Sequence, residues 1–205
     1  MSAISETIMY FQKGGLVMYP LLLCSLTVVS ISIERYLYYR ANDSGSTFAA
    51  CYCQQLAEKN IQEATKYASL SSGRCAQILS AASEKTTKEL TAAYMENQAG
   101  IFIATLRNKL DYLSIIVTMS PLLGLLGTIV GMIGAFSIFN LEAGAPLTIT
   151  GGIGEALIAT ASGLCVAILA LIANSYFNHR MDNMITDMEQ CFSALLEAKA
   201  RSEAK

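Results

Sequence analysis

Three long apolar stretches, separated by polar segments, dominate the pattern of hydrophobic and polar positions along this chain. They lie at 14–40, 112–141 and 151–178. The first is uncharged as far as residue 33 and ends in a charged, tyrosine-rich exit. A helix needs about 20 mainly apolar residues to cross roughly 30 Å of hydrocarbon, and each stretch reaches that length. The sequence therefore predicts an all-α membrane protein with three transmembrane helices.

The polar segments are of unequal length and character. Residues 1–13 lack the basic start and the cleavage site of a removable signal peptide, so we expect them to be retained as a short N-terminus. Residues 142–150 form a short connector without Lys or Arg. Residues 41–111 are rich in Ala, Gln, Glu, Lys and Leu, which favours a helical loop. The pattern of residues 179–205 predicts an amphipathic C-terminal helix.

Two apolar stripes indicate how the polar segments pack. The first steps by 4, 3, 4, 4 and 3 and predicts one face of a continuous helix that enters the second span. The second steps by 4, 3, 4 and 3 along the tail. We expect both to pack on neighbouring helices of this chain or of another subunit. Their members are Met95, Ala99, Phe102, Leu106, Leu110 and Leu113, then Met181, Ile185, Met188, Phe192 and Leu195.

Composition and charge support a membrane protein and set its orientation. Of the 205 residues, 53% are hydrophobic and 15% are charged, against about 25% charged residues in soluble domains. The net charge is −2 and the sequence has no basic stripe, so it does not indicate a nucleic-acid-binding protein. All basic residues except Lys13 lie on the side of 41–111 and 179–205, counting the exit of the first span. The positive-inside rule therefore predicts a cytoplasmic loop and C-terminus and a periplasmic N-terminus.

The sequence offers no constellation typical of an enzyme. A phosphate loop, a nucleophile with its base and a cluster of metal ligands are all missing from it, so we predict neither an enzyme nor a cofactor. The pair Cys51-x-Cys53 lacks a matching Cys or His cluster, and idle thiols are favoured over a metal site. The lone His179 sits at a membrane exit beside Arg180, where an interfacial role is favoured over ligation.

Glu155 is the candidate functional residue with the clearest physical signal. It is the single charge in the third apolar stretch, and the sequence has no Lys or Arg between Lys109 and Arg180. An ionised carboxylate in hydrocarbon is costly, so such acids usually face a bundle interior or a wet cavity and mark ion pathways. A glutamate near the helix end that extends to the interface is the alternative.

Three hydroxyl residues of the second and third spans are secondary candidates for an ion pathway. Thr128 lies beside the glycines of the second span and faces either a polar channel or its own helix backbone. Ser162 follows Glu155 by seven residues and shares its helix face, whereas Thr160 lies about 140° round the helix. Spacing alone does not place Glu155 and Thr160 in one lumen.

Glycines in the second and third spans predict close helix packing. Those of the second span step by 3, 4 and 3 along one helix face, and small residues at such spacing let helix backbones approach closely in lipid. The third span carries a further glycine among several alanines. The predicted packing glycines are Gly124, Gly127, Gly131, Gly134 and Gly163.

Two motifs resemble those of the ExbB/TolQ/MotA proton-channel family. The first is Pro121-Leu-Leu-Gly-Leu-Leu-Gly-Thr128-Ile-Val-Gly131, and the second is Gly152-Ile-Gly-Glu155-Ala-Leu-Ile-Ala-Thr160-Ala-Ser-Gly163-Leu. They are similar to the family's P-x-x-G-L-x-G-T-x-x-G and G-I-x-E-A-L-x-A-T-x-x-G-L segments. The size of the chain favours the ExbB/TolQ branch, although Ser162 and Cys165 depart from its best-known members.

The resemblance implies a bacterial inner-membrane energy transducer. Five copies of such a chain surround the transmembrane helices of two copies of an ExbD/TolR-like partner, which supplies an essential membrane aspartate. The ring uses the proton motive force to move that partner, together with TonB-like or Pal-linked periplasmic components. Thr128, Glu155 and Thr160 match the family's polar pore-facing residues, and a lumen shared by five copies would accommodate the angle between the last two.

Two other classes of function remain open from the sequence. A stand-alone ion or small-solute transporter would bind its substrate itself, but three spans without broken inverted repeats disfavour it. A non-conducting membrane scaffold would use Glu155, Thr128 and Thr160 for assembly only. The outer-membrane process that is served, and the choice between H⁺ and Na⁺, lie beyond the sequence.

Overall fold

Helices form all the regular structure in the described part of the chain. A computed structural model describes Phe11 and residues 14–58, 60–141 and 146–203, with the backbone alone for 137–141 and 146–150. Three of these helices are long and apolar enough, by length and composition, to cross a membrane. The predicted all-α class with three transmembrane helices is confirmed. The helices are α1 Met18–Asn42, α2 Ser46–Ala57, α3 Ile61–Leu70, α4 Arg74–Ser83, α5 Lys88–Arg107, α6 Leu110–Leu141 and α7 Pro146–Glu203.

The chain forms two compact units. The apolar unit comprises Met1–Ile33 and Lys109–Ser175, and the polar unit comprises Glu34–Asn108 and Tyr176–Lys205. Helices α1 and α7 each contribute residues to both units. Apart from Phe11, the predicted N-terminal segment 1–13 lies outside the described residues, and so does the first part of the predicted connector.

The helix predicted to run without a break from Met95 to Leu113 is interrupted, which corrects that expectation. Helix α5 ends at Arg107, Lys109 has a φ of 70°, and α6 begins at Leu110. A left-handed conformation costs a non-glycine residue roughly 1–2 kcal/mol, so the break needs compensating contacts. The stripe itself is buried except for Ala99, which is half-buried.

Side chains of α1 provide those contacts. The carbonyls of the last helical turn lack an intrahelical donor. Nη1 of Arg35 donates to the carbonyl oxygens of Thr105 at 3.0 Å and Asn108 at 3.1 Å, and the Tyr39 hydroxyl donates to that of Leu106 at 2.8 Å. Arg35 is 3% exposed and Tyr39 is 2% exposed. The two residues therefore stabilise the end of α5 from within the polar unit.

The third span and the tail belong to one helix, and the tail buries a different stripe from the predicted one. Helix α7 begins at Pro146, inside the predicted connector, where the missing N–H of proline is tolerated. The buried positions of the tail alternate between steps of 3 and 4, as in a heptad pattern. They include Met184 and Cys191, whereas the predicted stripe had Ile185 and Phe192 instead. The latter two are half-buried. The buried positions are Met181, Met184, Met188, Cys191, Leu195 and Ala198.

Three cysteine thiols converge in the polar unit. The Cys191 thiol interacts electrostatically with Cys75 and Cys53, and Cys75 and Cys191 are buried. Burial raises the pKa of the Cys53 thiol to about 11, so it stays protonated at neutral pH, and a protonated thiol is a poor metal ligand and nucleophile. Over the described ranges, no group of three or more His, Cys, Asp or Glu side chains can hold a metal ion. These contacts favour the interpretation of idle thiols.

Lys199 joins the end of α7 to α4 and α5. Its Nζ donates to the carbonyl oxygens of Ala82 at 3.4 Å and Lys85 at 2.5 Å, and to the Thr91 hydroxyl at 2.8 Å. The residue is 8% exposed, and burial lowers the pKa of Lys199. Because Ala82 lies in the last turn of α4, the ammonium group caps a helix end whose carbonyls need donors.

Lys199→Met is expected to destabilise the polar unit. It removes all three hydrogen bonds while keeping most of the apolar stem, and losing bonds to a charged donor costs about 1.5–3 kcal/mol. The measurement is the thermal midpoint of the detergent-purified chain. Arg201→Met is the control, because Arg201 is half-exposed and pairs with exposed Glu197 at 3.9 Å. Equal shifts in the two variants would contradict a capping role for Lys199.

Candidate functional site

Glycines bring α6 and α7 into backbone contact within the apolar unit. A methyl group at Gly163 would lie 2.6 Å from the Ser120 carbonyl oxygen and 3.0 Å from Cα of Gly124. One at Gly124 would lie 3.1 Å from Cα of Thr160. Backbones approach this closely in membranes where small residues form the contact. The two motifs singled out in the sequence therefore meet face to face.

The contact continues along α6 through Gly127 and Gly131, and then through Ala135. A methyl group at Gly131 would lie 3.2 Å from the Gly152 carbonyl oxygen, and one at Gly152 would lie 2.5 Å from Cβ of Ala135. No described atom comes within 4 Å of a methyl group built at Gly134. The packing role predicted for Gly134 therefore has no partner in the described part of this chain, because the contact face continues one residue further on.

Thr160 lies at the contact between the two helices. Its Oγ1 is 3.0 Å from the carbonyl oxygen of Gly124 on α6 and 3.2 Å from that of Ala156 on its own helix. A hydroxyl has one proton to donate, so the two carbonyls share it. Such bonds add to the packing of membrane helices. Within one chain, the hydroxyl of Thr160 is directed towards α6.

The other hydroxyl candidates are half-buried. Thr128 donates to the carbonyl of Leu125 at 2.6 Å, which is the backbone alternative that the sequence left open. Ser162 lies on α7 and is also half-buried. Among the described residues, no hydrogen bond joins Glu155, Thr128, Thr160 and Ser162 to one another. The single chain therefore does not assemble them into one cluster.

The side chain of Glu155 lies against the residues that precede α1. A side chain at Gly15 would overlap Oε1 of the carboxylate, and its Cβ would lie 3.0 Å from Cδ and 3.5 Å from Cγ of Glu155. Gly15 has a φ of 71°, and its carbonyl accepts the N–H of Met18 at 3.2 Å. Glu155 is half-buried. The sequence interpretation missed this contact, for which the adjacent glycines at 14 and 15 were the available signal.

The first turn of α1 packs beside α6 at the same place. A methyl group at Gly127 would lie 3.6 Å from Cβ of Val17. Val17 belongs to a cluster with Met18 and Leu21, against which Leu123 of α6 packs. The start of α1 therefore contacts both α6 and α7 close to Glu155.

Comparison with known proteins places these features in a family context. Residues 54–190 match the model of a family described as the MotA/TolQ/ExbB proton channel family. This range includes α6, the larger part of α7 and both glycine-bearing motifs. It therefore contains Glu155 and the three hydroxyl candidates.

Individual relatives agree with that match. The chain is 32% identical over 172 residues to the putative biopolymer transport protein ExbB-like 1 of Synechocystis sp.. The aligned region covers 79% of this chain and 66% of the relative. The chain is 27% identical over 188 residues to the biopolymer transport protein exbB1 of Vibrio cholerae, covering 87% and 82%. It is 37% identical over 86 residues to the Tol-Pal system protein TolQ of Haemophilus influenzae, covering 42% and 38%. The chain thus spans just under two thirds of the first relative and a smaller part of TolQ.

Proposed function

Because the chain belongs to the MotA/TolQ/ExbB proton channel family, we propose that it is the channel subunit of an ExbB/TolQ-type energy transducer. It sits in the bacterial inner membrane with its N-terminus in the periplasm and its C-terminus in the cytoplasm. It conducts protons together with an ExbD/TolR-like single-span partner and moves that partner at the expense of the proton motive force. Periplasmic components of the TonB or Pal type receive the motion.

The contact of Glu155 with the start of α1 carries this proposal. It places an ionisable group in the apolar unit, next to the backbone contact between α6 and α7. The apolar parts of α6 and α7, at 112–141 and 146–178, contain no charged residue other than Glu155. Glu155 is therefore the group that takes up a proton, and Thr128, Thr160 and Ser162 support its transfer from the walls of the lumen.

The free energy available is sufficient to rearrange a helix. One charge that moves through 100 mV is worth about 2.3 kcal/mol. A few protons per step supply several kcal/mol, which is the size of a change in helix packing. The partner contributes a second membrane acid, so protons pass between Glu155 and that acid as the partner moves.

Uncovered apolar surface supports a ring of several copies. Leu122, Leu125, Ile129 and Phe136 of α6 are between 47% and 64% exposed in the single chain. The same helix presents Gly134 to open space among the described residues. Neighbouring copies, the partner helices and lipid cover this surface in a ring of five around a partner dimer.

Native mass spectrometry of the detergent-purified chain tests the assembly. We expect a five-fold ring of this chain that captures two copies of a single-span partner encoded beside it. An unrelated single-span protein of similar length is the control and is expected to remain unbound. A monomer or dimer that binds no such partner would favour a stand-alone transporter. A ring that binds the partner without any proton flux would favour a scaffold.

A further inference from the structure

Gly15 contacts the carboxylate on which the proposed function rests. Its backbone has a φ of 71°, a region that side chains adopt at a cost, and Oε1 of Glu155 occupies the space of its missing side chain. Cγ and Cδ of Glu155 also lie within 3.5 Å of that position. Two independent features thus require glycine at this residue, the backbone conformation and the bound carboxylate.

The turn that contains Gly15 is held from several sides. The Gly15 carbonyl accepts the N–H of Met18, and Gly14 donates to the carbonyl of Phe11 at 3.3 Å. A methyl group at Gly14 would lie 3.3 Å from Ile158, one turn beyond Glu155 on α7. Val17, Met18 and Leu21 bury their side chains in one cluster. The turn is therefore a fixed structure that Glu155 packs against.

Residues 14–33 hold no charge of their own. The charged residue nearest to Gly15 in the sequence is Lys13, which lies outside the described residues.

From this geometry we infer that Gly15 is a positioning residue for Glu155, holding the carboxylate against the turn that precedes α1. This inference builds on the proposed function and adds α1 to the proton site, which the motifs of α6 and α7 alone did not include. Release of the carboxylate from Gly15 is then the step that opens Glu155 to water or to the partner. A side chain at Gly15 forces that release permanently.

Carbodiimide labelling of the purified chain, read by peptide mass spectrometry, tests the inference without any flux assay. A water-soluble carbodiimide modifies carboxyl groups that water and the reagent can reach. In Gly15→Ala the displaced Glu155 is expected to be labelled roughly threefold faster or more, in the range of coupling between residues in contact. Gly45→Ala is the matched control, because Gly45 has a φ of 81° with nothing within 4 Å. It should leave the rate unchanged.

A double-variant cycle separates a positioning role from a general structural one. In Glu155→Asp the side chain is shorter and no longer reaches Gly15. In that background, Gly15→Ala should therefore change the labelling rate at position 155 only slightly. If Gly15→Ala alone fails to fold, recovery of the folded yield by Glu155→Asp is the expected result. Equal effects of Gly15→Ala in both backgrounds, or no effect in either, would overturn the inference.

The remaining variant concerns the neighbouring charge. Lys13→Gln is expected to leave Glu155 labelling near the wild-type rate. If Lys13→Gln reproduces the effect of Gly15→Ala, the lysine charge holds the carboxylate and the inference is wrong. Absence of proton flux in the wild-type complex would count against the proposed function. The labelling experiments would still decide the role of Gly15.

Discussion

Replacing Glu155 with glutamine is expected to abolish partner-dependent proton flow while leaving the chain folded and assembled. Glutamine keeps the size and the hydrogen-bonding oxygen of the side chain, so the contact with Gly15 persists. It cannot take up or release a proton, and a positioned acid or base typically contributes about 10²–10⁴-fold to proton transfer. We therefore expect flux to fall by roughly a hundredfold or more. The measurement is dye-reported acidification of liposomes under an imposed potential.

Two comparisons make this result specific. Glu89→Gln makes the same chemical change at an exposed residue in the first turn of α5, and it should retain wild-type flux. The assembled mass of the Glu155→Gln complex should equal that of the wild type. Full flux in Glu155→Gln would remove Glu155 from the proton path, and loss of assembly would assign it a scaffold role instead.

The second large effect is expected from Gly163→Ala, which separates α6 from α7. Its added methyl group would lie 2.6 Å from the Ser120 carbonyl oxygen and 3.0 Å from Cα of Gly124. Both are backbone atoms, so the helices must move apart. Overpacking of this kind costs about 1–3 kcal/mol, and the separation also breaks the Thr160 bond to Gly124. The thermal midpoint in detergent is expected to fall, and the yield of folded protein should fall with it.

Gly134→Ala provides the matched control on α6. The site is open in the described part of the chain, and alanine favours a helix interior over glycine by up to about 1 kcal/mol. We expect an unchanged or slightly higher midpoint for the isolated chain. If Gly134 packs on a neighbouring copy in the ring, the variant should reduce assembly without affecting that midpoint. A similar loss of chain stability in Gly134→Ala and Gly163→Ala would contradict the packing described for Gly163.

Most of the fold could be predicted from local sequence pattern, because an apolar segment in lipid can adopt few backbone structures. Twenty uncharged residues must form a helix that satisfies its own backbone, and small residues spaced by three and four must form a contact face. That spacing could not decide between Gly134 and Ala135, since both lie near the edge of the face. The neighbouring helix α7 decides which of the two residues lies in the contact, because α7 packs on Ala135.

The contacts that sequence reasoning missed are all distant along the chain. The interruption at Lys109 depends on Arg35 and Tyr39, which a local interpretation assigns to a membrane interface. The contact of Glu155 depends on Gly15, more than a hundred residues earlier. In both cases the signal is a residue type whose purpose is defined only by its partner, so periodicity within one segment cannot reveal it.

Proton flux with and without the single-span partner is the measurement that tests the central claim most directly. The chain is reconstituted alone and as the partner complex, and acidification is followed under an imposed potential at equal protein content. We predict flux from the complex that Glu155→Gln removes, and only the background rate of empty liposomes from the chain alone. A complex that stays at the background rate, or a chain that conducts fully without its partner, would contradict the account.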